Sequence, residues 1–237
     1  MLKTLIILAV LFTLTPAVYG QAPTRRADAA FAIGNGPASV SLSVLQTHPV
    51  AFKKRLSLGI GLRGTYHRHA QSDLITAPAH LTTGTQGAAV LFTPTRPAFL
   101  DTITVSASSI TMVNIFIQIA YAIHDKWELG FNIDAVGFTA GESAVVSYES
   151  SRAGTGGFPS RTSASPTPWN VLLVSHNDIG SLQSELYVKY NWDIHLYTRL
   201  MYSYQFIEYT TSDRLWSSNN RFRYTPSLLG LAVGYQF

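Results

Sequence analysis

The chain has 237 residues, a formal net charge of +4 and no cysteine. The missing thiols exclude disulfides, thiol catalysis, Cys-ligated metals and a lipoprotein anchor. Charged residues are 13% of the chain, against roughly a quarter in soluble proteins, and the Lys and Arg residues form no basic stripe or nucleic-acid motif, so no nucleic-acid partner is expected.

Residues 1–20 read MLKTLIILAVLFTLTPAVYG. Lys3 precedes an apolar stretch from Leu5 to Leu14, and Val18 and Gly20 are small residues placed for a signal peptidase, so a signal peptide cleaved after Gly20 is expected. The apolar run is short of the ~20 residues a spanning helix needs. The remaining 21–237 read as one domain. No later apolar run reaches helix-spanning length, so a membrane protein of this composition must be a closed barrel.

Gln21 to Asp28 reads as a polar lead-in. Phe31 and Ile33 open a short first strand before a turn at Gly34-Asn35-Gly36-Pro37. Val40, Leu42 and Val44 then alternate with Ser39, Ser41 and Ser43, and after a turn at 47–54, Leu56, Leu58, Ile60 and Leu62 alternate with Ser57, Gly59, Gly61 and Arg63. That period of two places one apolar and one small or polar face on each strand. Residues 68–108 lack sustained alternation and read as one long loop. Strands resume at Val113 to Ile123, turn at 124–126, and return from Trp127 to Asp134. A second long loop runs from 139 to about 170. Leu182 to Tyr190 is a strand, 191–193 a three-residue turn, and Ile194 to Phe206 its partner. A loop at 210–220 leads to the last strand, where Leu229, Leu231, Val233, Tyr235 and Phe237 oppose Gly230, Ala232, Gly234 and Gln236.

The pattern predicts an all-β chain: a single transmembrane antiparallel up-and-down barrel of about eight strands, both termini periplasmic. Short turns at 47–54, 124–126 and 191–193 belong to the periplasmic end, and the long loops to the outside. Trp127, Tyr121, Tyr190, Tyr235 and Phe237 gather near the short turns, and Tyr66, Tyr202, Tyr204 and Phe206 near the other rim, as two interfacial girdles do. A soluble lipocalin-like barrel would present the second faces to water, and these carry too much Gly, Ala and Ser and too little charge for that.

The segments FAIGNGP, LGIGLRGTYHR, TAPAHLTTG, ELGFNIDAVGFTAG, LLVSHNDIGSLQSELYVKY, EYTT and NNRFR together resemble an uncharacterised family of small outer-membrane β-barrel proteins of the Bacteroidota. The resemblance implies a single barrel in the cell outer membrane, surrounded by its lipids and inserted by the barrel-assembly machinery. The last strand separately resembles the C-terminal strand of outer-membrane proteins, which implies that Phe237 with Tyr235 is the terminal assembly signal. The family resemblance implies no catalytic residues. Small barrels at large include structural proteins, adhesins, small-solute channels and lipid-modifying enzymes, so the fold leaves function open.

Inward positions hold Arg63, Glu128, Asp134, Glu185, Lys189, His195 and Arg199. A three-residue turn at 191–193 sets Tyr190 opposite Ile194, Lys189 opposite His195 and Glu185 opposite Arg199. The 124–126 turn sets Gln118 opposite Asn132 and Phe116 opposite Asp134. An eight-stranded lumen is wide enough only to be filled by side chains, so these charges read as paired lumen filling, with a selectivity network as the other reading. His176, between Ser175 and Asp178, is the nearest approach to a catalytic set, although such a set is defined by geometry and not spacing. His67, His69 and His80 are irregularly spaced for a metal site. No phosphate-cradling loop, zinc-protease motif or dinucleotide fingerprint occurs, and no cofactor or metal is expected. The reading is a membrane barrel with a structural or surface-interaction role. The alternatives are a narrow solute channel and a barrel-embedded enzyme acting on lipid or peptide.

Overall fold

The computed structural model describes residues 23–52, 54–85, 87–150, 158–173 and 177–237; the expected signal peptide lies outside them. In chain order the strands are β1 (Thr24–Ile33), β2 (Ala38–Ala51), β3 (Leu56–His69), β4 (Ser72–Thr76), β5 (Thr102–Val105), β6 (Ser108–His124) and β7 (Trp127–Gly141). They continue as β8 (Ala144–Glu149), β9 (Arg161–Pro166), β10 (Trp169–Val171), β11 (Leu182–Asn191), β12 (Leu196–Thr211), β13 (Arg221–Tyr224) and β14 (Ser227–Gln236). A short helix, α1 (Ala79–Thr82), interrupts them. No described helix is long and apolar enough to cross a membrane.

Among the described residues fourteen strands stand where the alternation predicted about eight. Most added strands come from segments expected as loops, β4 and β5 from 68–108 and β8, β9 and β10 from 139–170, while β13 forms past the 210–220 loop, where the last strand was expected to begin. They run three to six residues. So short a strand shows too few alternations for a period-two pattern to stand out.

The eight long strands pair antiparallel along the circuit β1–β2–β3–β6–β7–β11–β12–β14, and β14 pairs back to β1 from Arg26↔Gln236 to Ile33↔Leu229. Their alternation has one sense throughout. Leu229, Leu231 and Val233 of β14 are exposed while Leu228, Gly230 and Ala232 are buried. On β6, Ile117 and Ile119 face out while Phe116, Gln118 and Ala120 face in. Glycine makes room for the lumen's rings: a Cβ at Gly130 would meet the Tyr187 ring at 2.2 Å, and one at Gly234 the Tyr197 ring at 2.2 Å. The β1–β2 turn reverses through Gly36 at φ +104, a conformation open to glycine and costly for most other residues.

A second, smaller circuit stands on the first. β12 pairs β13, and the chain of pairings β13–β4–β5–β8–β9 returns to β12. Its interior is apolar: Leu74, Ile103, Val146, Ile207, Tyr209 and Phe222 lie in one buried cluster. β12 serves both circuits with a single face, because every odd residue from Tyr197 to Thr211 is buried.

Turn length predicts a register for two of the hairpins. Gln118↔Asn132 and Phe116↔Asp134 pair as the 124–126 turn requires. The β11–β12 register differs: Tyr190 pairs with Thr198, Lys189 with Arg199 and Glu185 with Ser203. The reason is Asp193. Its Oδ1 accepts the N–H of His195 at 2.6 Å and of Leu196 at 2.7 Å. This side-chain turn widens the loop and delays β12 to Leu196. The slip is four residues, so it keeps the β12 side chains from Leu196 onward on their expected faces.

Candidate functional site

Among the described residues, eight charged side chains line the large circuit. β1 brings Arg26 and Asp28, β3 Arg63, β7 Glu128 and Asp134, β11 Glu185 and Lys189, and β12 Arg199. Four acids face four bases, so the set is formally neutral. All lie on the inward face because each falls in phase with a small or polar neighbour two residues away.

They fall into two groups. Near the short-turn end, Arg26 grips Glu128 through both guanidinium nitrogens at 2.9 and 3.0 Å. Lys189 reaches the same carboxylate at 2.9 Å. The Tyr187 hydroxyl donates to Glu128 at 3.0 Å and accepts from Gln118 at 2.7 Å. The second group centres on Arg63, which bonds Asp134 and, at 2.8 Å, Glu185. Glu185 also lies 3.4 Å from Arg199, whose other nitrogen meets Asp28 at 3.0 Å. Neutral donors complete the acids: Asn132 and Gln183 to Glu185 at 2.9 and 2.7 Å, Asn114 to Asp134 at 2.7 Å, and Ser43 and Tyr197 to Asp28 at 2.8 and 2.9 Å. Buried charges persist when paired and hydrogen-bonded in this way. Between Arg26, Asp28, Phe116, Gln118, Lys189 and Arg199 a void of ≈ 10 Å³ remains, about the room of a single water.

Six of the seven expected lumen residues are buried in these groups. The seventh, His195, is a correction. It is exposed in the β11–β12 turn, stacked on Tyr235 at 5.1 Å between ring centroids, with Nδ1 3.0 Å from the Gln236 carbonyl. The Asp193 turn that shifts the register also keeps His195 out of the lumen. The expected contact of Glu185 with Arg199 occurs without the expected cross-strand pairing. Four residues of strand is about 13 Å, and two long side chains leaning along the lumen span it.

Arg26 and Asp28 fall in the segment expected as a polar lead-in, and β1 carries them into the lumen instead. Their signal was present: Arg26, Asp28, Ala30 and Ala32 extend the inward face of β1 without a break. A third ion cluster was also missed. Glu208 accepts from Arg221 at 2.8 and 2.9 Å and from Arg223 at 2.8 Å. Both arginines also donate to the Asp178 carbonyl. The period-two spacing of Arg221 and Arg223 about the buried Phe222 was the available sign.

Of the catalytic candidates, Ser175 and His176 lie outside the described residues. The Asp178 carboxylate accepts the Leu173 N–H at 2.6 Å. His67 and His69 are buried with ring centroids 6.0 Å apart, and His80 is exposed. Among the described residues no group of three or more His, Cys, Asp or Glu is placed to hold a metal. Tyr235 and Phe237 are both exposed, with rings 5.3 Å apart. Trp127, Tyr190 and Trp192 form a neighbouring aromatic run at 4.8 and 4.9 Å.

No family model matches the chain, and no curated protein does. Among solved structures it is similar to a major outer membrane protein from Thermus thermophilus, at 13% identity and TM-score 0.40, over 92% of this chain and 100% of that one. The outer membrane protein OprG from Pseudomonas aeruginosa follows at 14% and 0.38, over 91% and 94%. Ail, the attachment invasion locus protein of Yersinia pestis, gives 11% and 0.35, over 91% and 97%. Likenesses this loose assign neither a family nor an activity.

Proposed function

We propose that the chain is an integral outer-membrane β-barrel with a structural or surface-interaction role, its lumen filled by paired charges and closed to solute flow. The observation that carries this reading is the polarity of the large circuit. Its outside is a continuous apolar wall, with Phe31, Leu42, Ile60, Ile117, Leu186 and Leu231 all exposed. Its inside holds the ion pairs. Water favours the opposite arrangement, and hydrocarbon favours this one. The short-turn end faces the periplasm and the small circuit faces outward. Lipids of the outer membrane and the barrel-assembly machinery are the partners this reading requires, and no reaction is assigned.

A narrow channel is the competing reading, and conductance decides between them. Purified protein reconstituted in a planar bilayer is expected to give no discrete current steps. Steps that persist, and that change on Arg63→Ala, would make the charged interior a conduction path.

A further inference from the structure

Beyond Arg63 the inward face of β3 continues through Thr65 to His67 and His69, toward the seam between the two circuits. The two histidines are 0% and 1% exposed. Residues two apart on a strand share one face at a spacing of about 7 Å, and these ring centres stand 6.0 Å apart. The Nδ1 of His69 lies 2.7 Å from the Ala70 carbonyl. A carbonyl only accepts, so Nδ1 carries the proton and Nε2 keeps its lone pair. That Nε2 is buried without a hydrogen-bond partner, and so are both ring nitrogens of His67. Buried polar atoms are nearly always paired, so three on two adjacent imidazoles call for a cause.

Other neutral donors gather at the same place. Gln205 of β12 reaches across the lumen, its Nε2 3.4 Å from the Ser39 Oγ, and Ser39 pairs with His67. The amide comes up to His67 without closing a hydrogen bond, and its Oε1 is buried and unpartnered. Met112 of β6 is buried opposite Thr65, diagonal to His67, and long side chains reach such a neighbour. Imidazole lone pairs, an amide oxygen and a thioether all accept, and one cation satisfies them together. Neither histidine joins a salt bridge among the described residues. A divalent ion would therefore bury two unbalanced charges, and a monovalent one only one. Thioether and imidazole donors suit a soft ion. The ring spacing agrees: with a metal–nitrogen bond of about 2 Å, two opposed imidazoles have centres about 6 Å apart, where tetrahedral donors draw them to about 5 Å.

We propose that His67 and His69, with the Met112 thioether, hold a soft monovalent metal ion of the copper(I) class at the seam between the circuits, with the Gln205 amide beside it. The site needs no third His, Cys, Asp or Glu, and the exposed His80 has no part in it. It goes beyond the membrane reading and does not depend on it, because its donors all lie inside the wall.

Silver(I) is the probe, because it has the charge and softness of copper(I) and needs no reductant. The chain has no cysteine, so no thiolate competes for it. The full protein is refolded into detergent in chloride-free buffer with silver nitrate or zinc sulfate, then desalted. Native mass spectrometry counts the ions that each chain retains. A single silver ion is expected, and less zinc. His67→Gln and His69→Gln should each lower silver affinity by roughly tenfold or more, the scale on which changes around a metal act. His195→Gln, in an exposed turn, should bind silver as the parent does. Met112→Leu conserves side-chain volume and should weaken silver while leaving zinc unchanged. It carries the test if a histidine variant fails to show heat-modifiable migration. A parent protein that retains no silver would overturn the site and leave trapped water as the partner of these nitrogens. Silver held equally by the parent and both histidine variants would overturn it too. Zinc held as tightly as silver would overturn the assignment to a soft monovalent ion.

Discussion

The large and small circuits use the same alternating strand in opposite senses. In the large one, exposed residues are apolar and the interior carries Arg63, Glu185 and their partners. In the small one, the interior is Leu74, Ile103, Val146 and Phe222, while Asp73, Ser147, Glu149, Arg161 and Ser163 are exposed. β12 makes the change along one face: Arg199, Ser203 and Gln205 give way to Ile207 and Tyr209. Nothing in strand geometry requires that switch. On the membrane reading proposed above, it follows what lies outside each wall. Where water surrounds the wall, burying apolar side chains stabilises by about 1.5–3 kcal/mol each. Where hydrocarbon surrounds it, that gain disappears, and the interior is organised by hydrogen-bonded charge instead.

The largest expected break in this comparison is at Arg63. It bonds two acids, Asp134 and Glu185, so Arg63→Ala leaves both under-compensated. Losing one partner of a buried pair costs about 3–5 kcal/mol, read as a shift in the denaturant midpoint of the vesicle-inserted protein. A double-mutant cycle of Glu185→Ala with Arg63→Ala should show more coupling than one with Arg199→Ala, because the distances are 2.8 and 3.4 Å. Additive losses in both cycles would mean that the interior charges act singly.

A second experiment places the same substitution on the two exteriors. Leu231 is 63% exposed and Val145 68%, so burial predicts equal tolerance of charge. The solvent argument predicts otherwise. Leu231→Arg should cost about 2–4 kcal/mol, the range for a basic residue on the lipid face near mid-membrane. Val145→Arg should stay within about 0.5 kcal/mol, as surface changes in water do. Equal effects at the two sites would remove the distinction between the walls.

The smallest effect sharpens the lower rim. The N–H groups of Leu196 and His195 hold the Asp193 carboxyl below its ordinary 3.8. A folded-state pKa lower than the unfolded one stabilises fully above the unfolded value, and that stability is lost as pH falls through the folded one. Wild type should therefore lose a little stability relative to Asp193→Asn as pH drops below 3.8. A constant difference between the two across that window would show that the turn does not depend on the carboxylate.

Much of the large circuit was legible in the chain itself. Long strands repeat the period of two often enough to mark both faces, so the outward wall, the inward charges and the Gln118↔Asn132 register follow from residue order and turn length. The alternation also carried the polarity that the membrane proposal rests on. Tertiary structure alone decided the rest. Apart from β12, the small circuit is built from strands of four to six residues, too short to announce themselves and stable only because they close over one another's apolar side chains. Arg26 and Asp28 gain their role from partners more than a hundred residues away, which no local pattern encodes. The β11–β12 register turned on two hydrogen bonds to Asp193, a choice between turns that lies open in sequence until the chain on either side is placed.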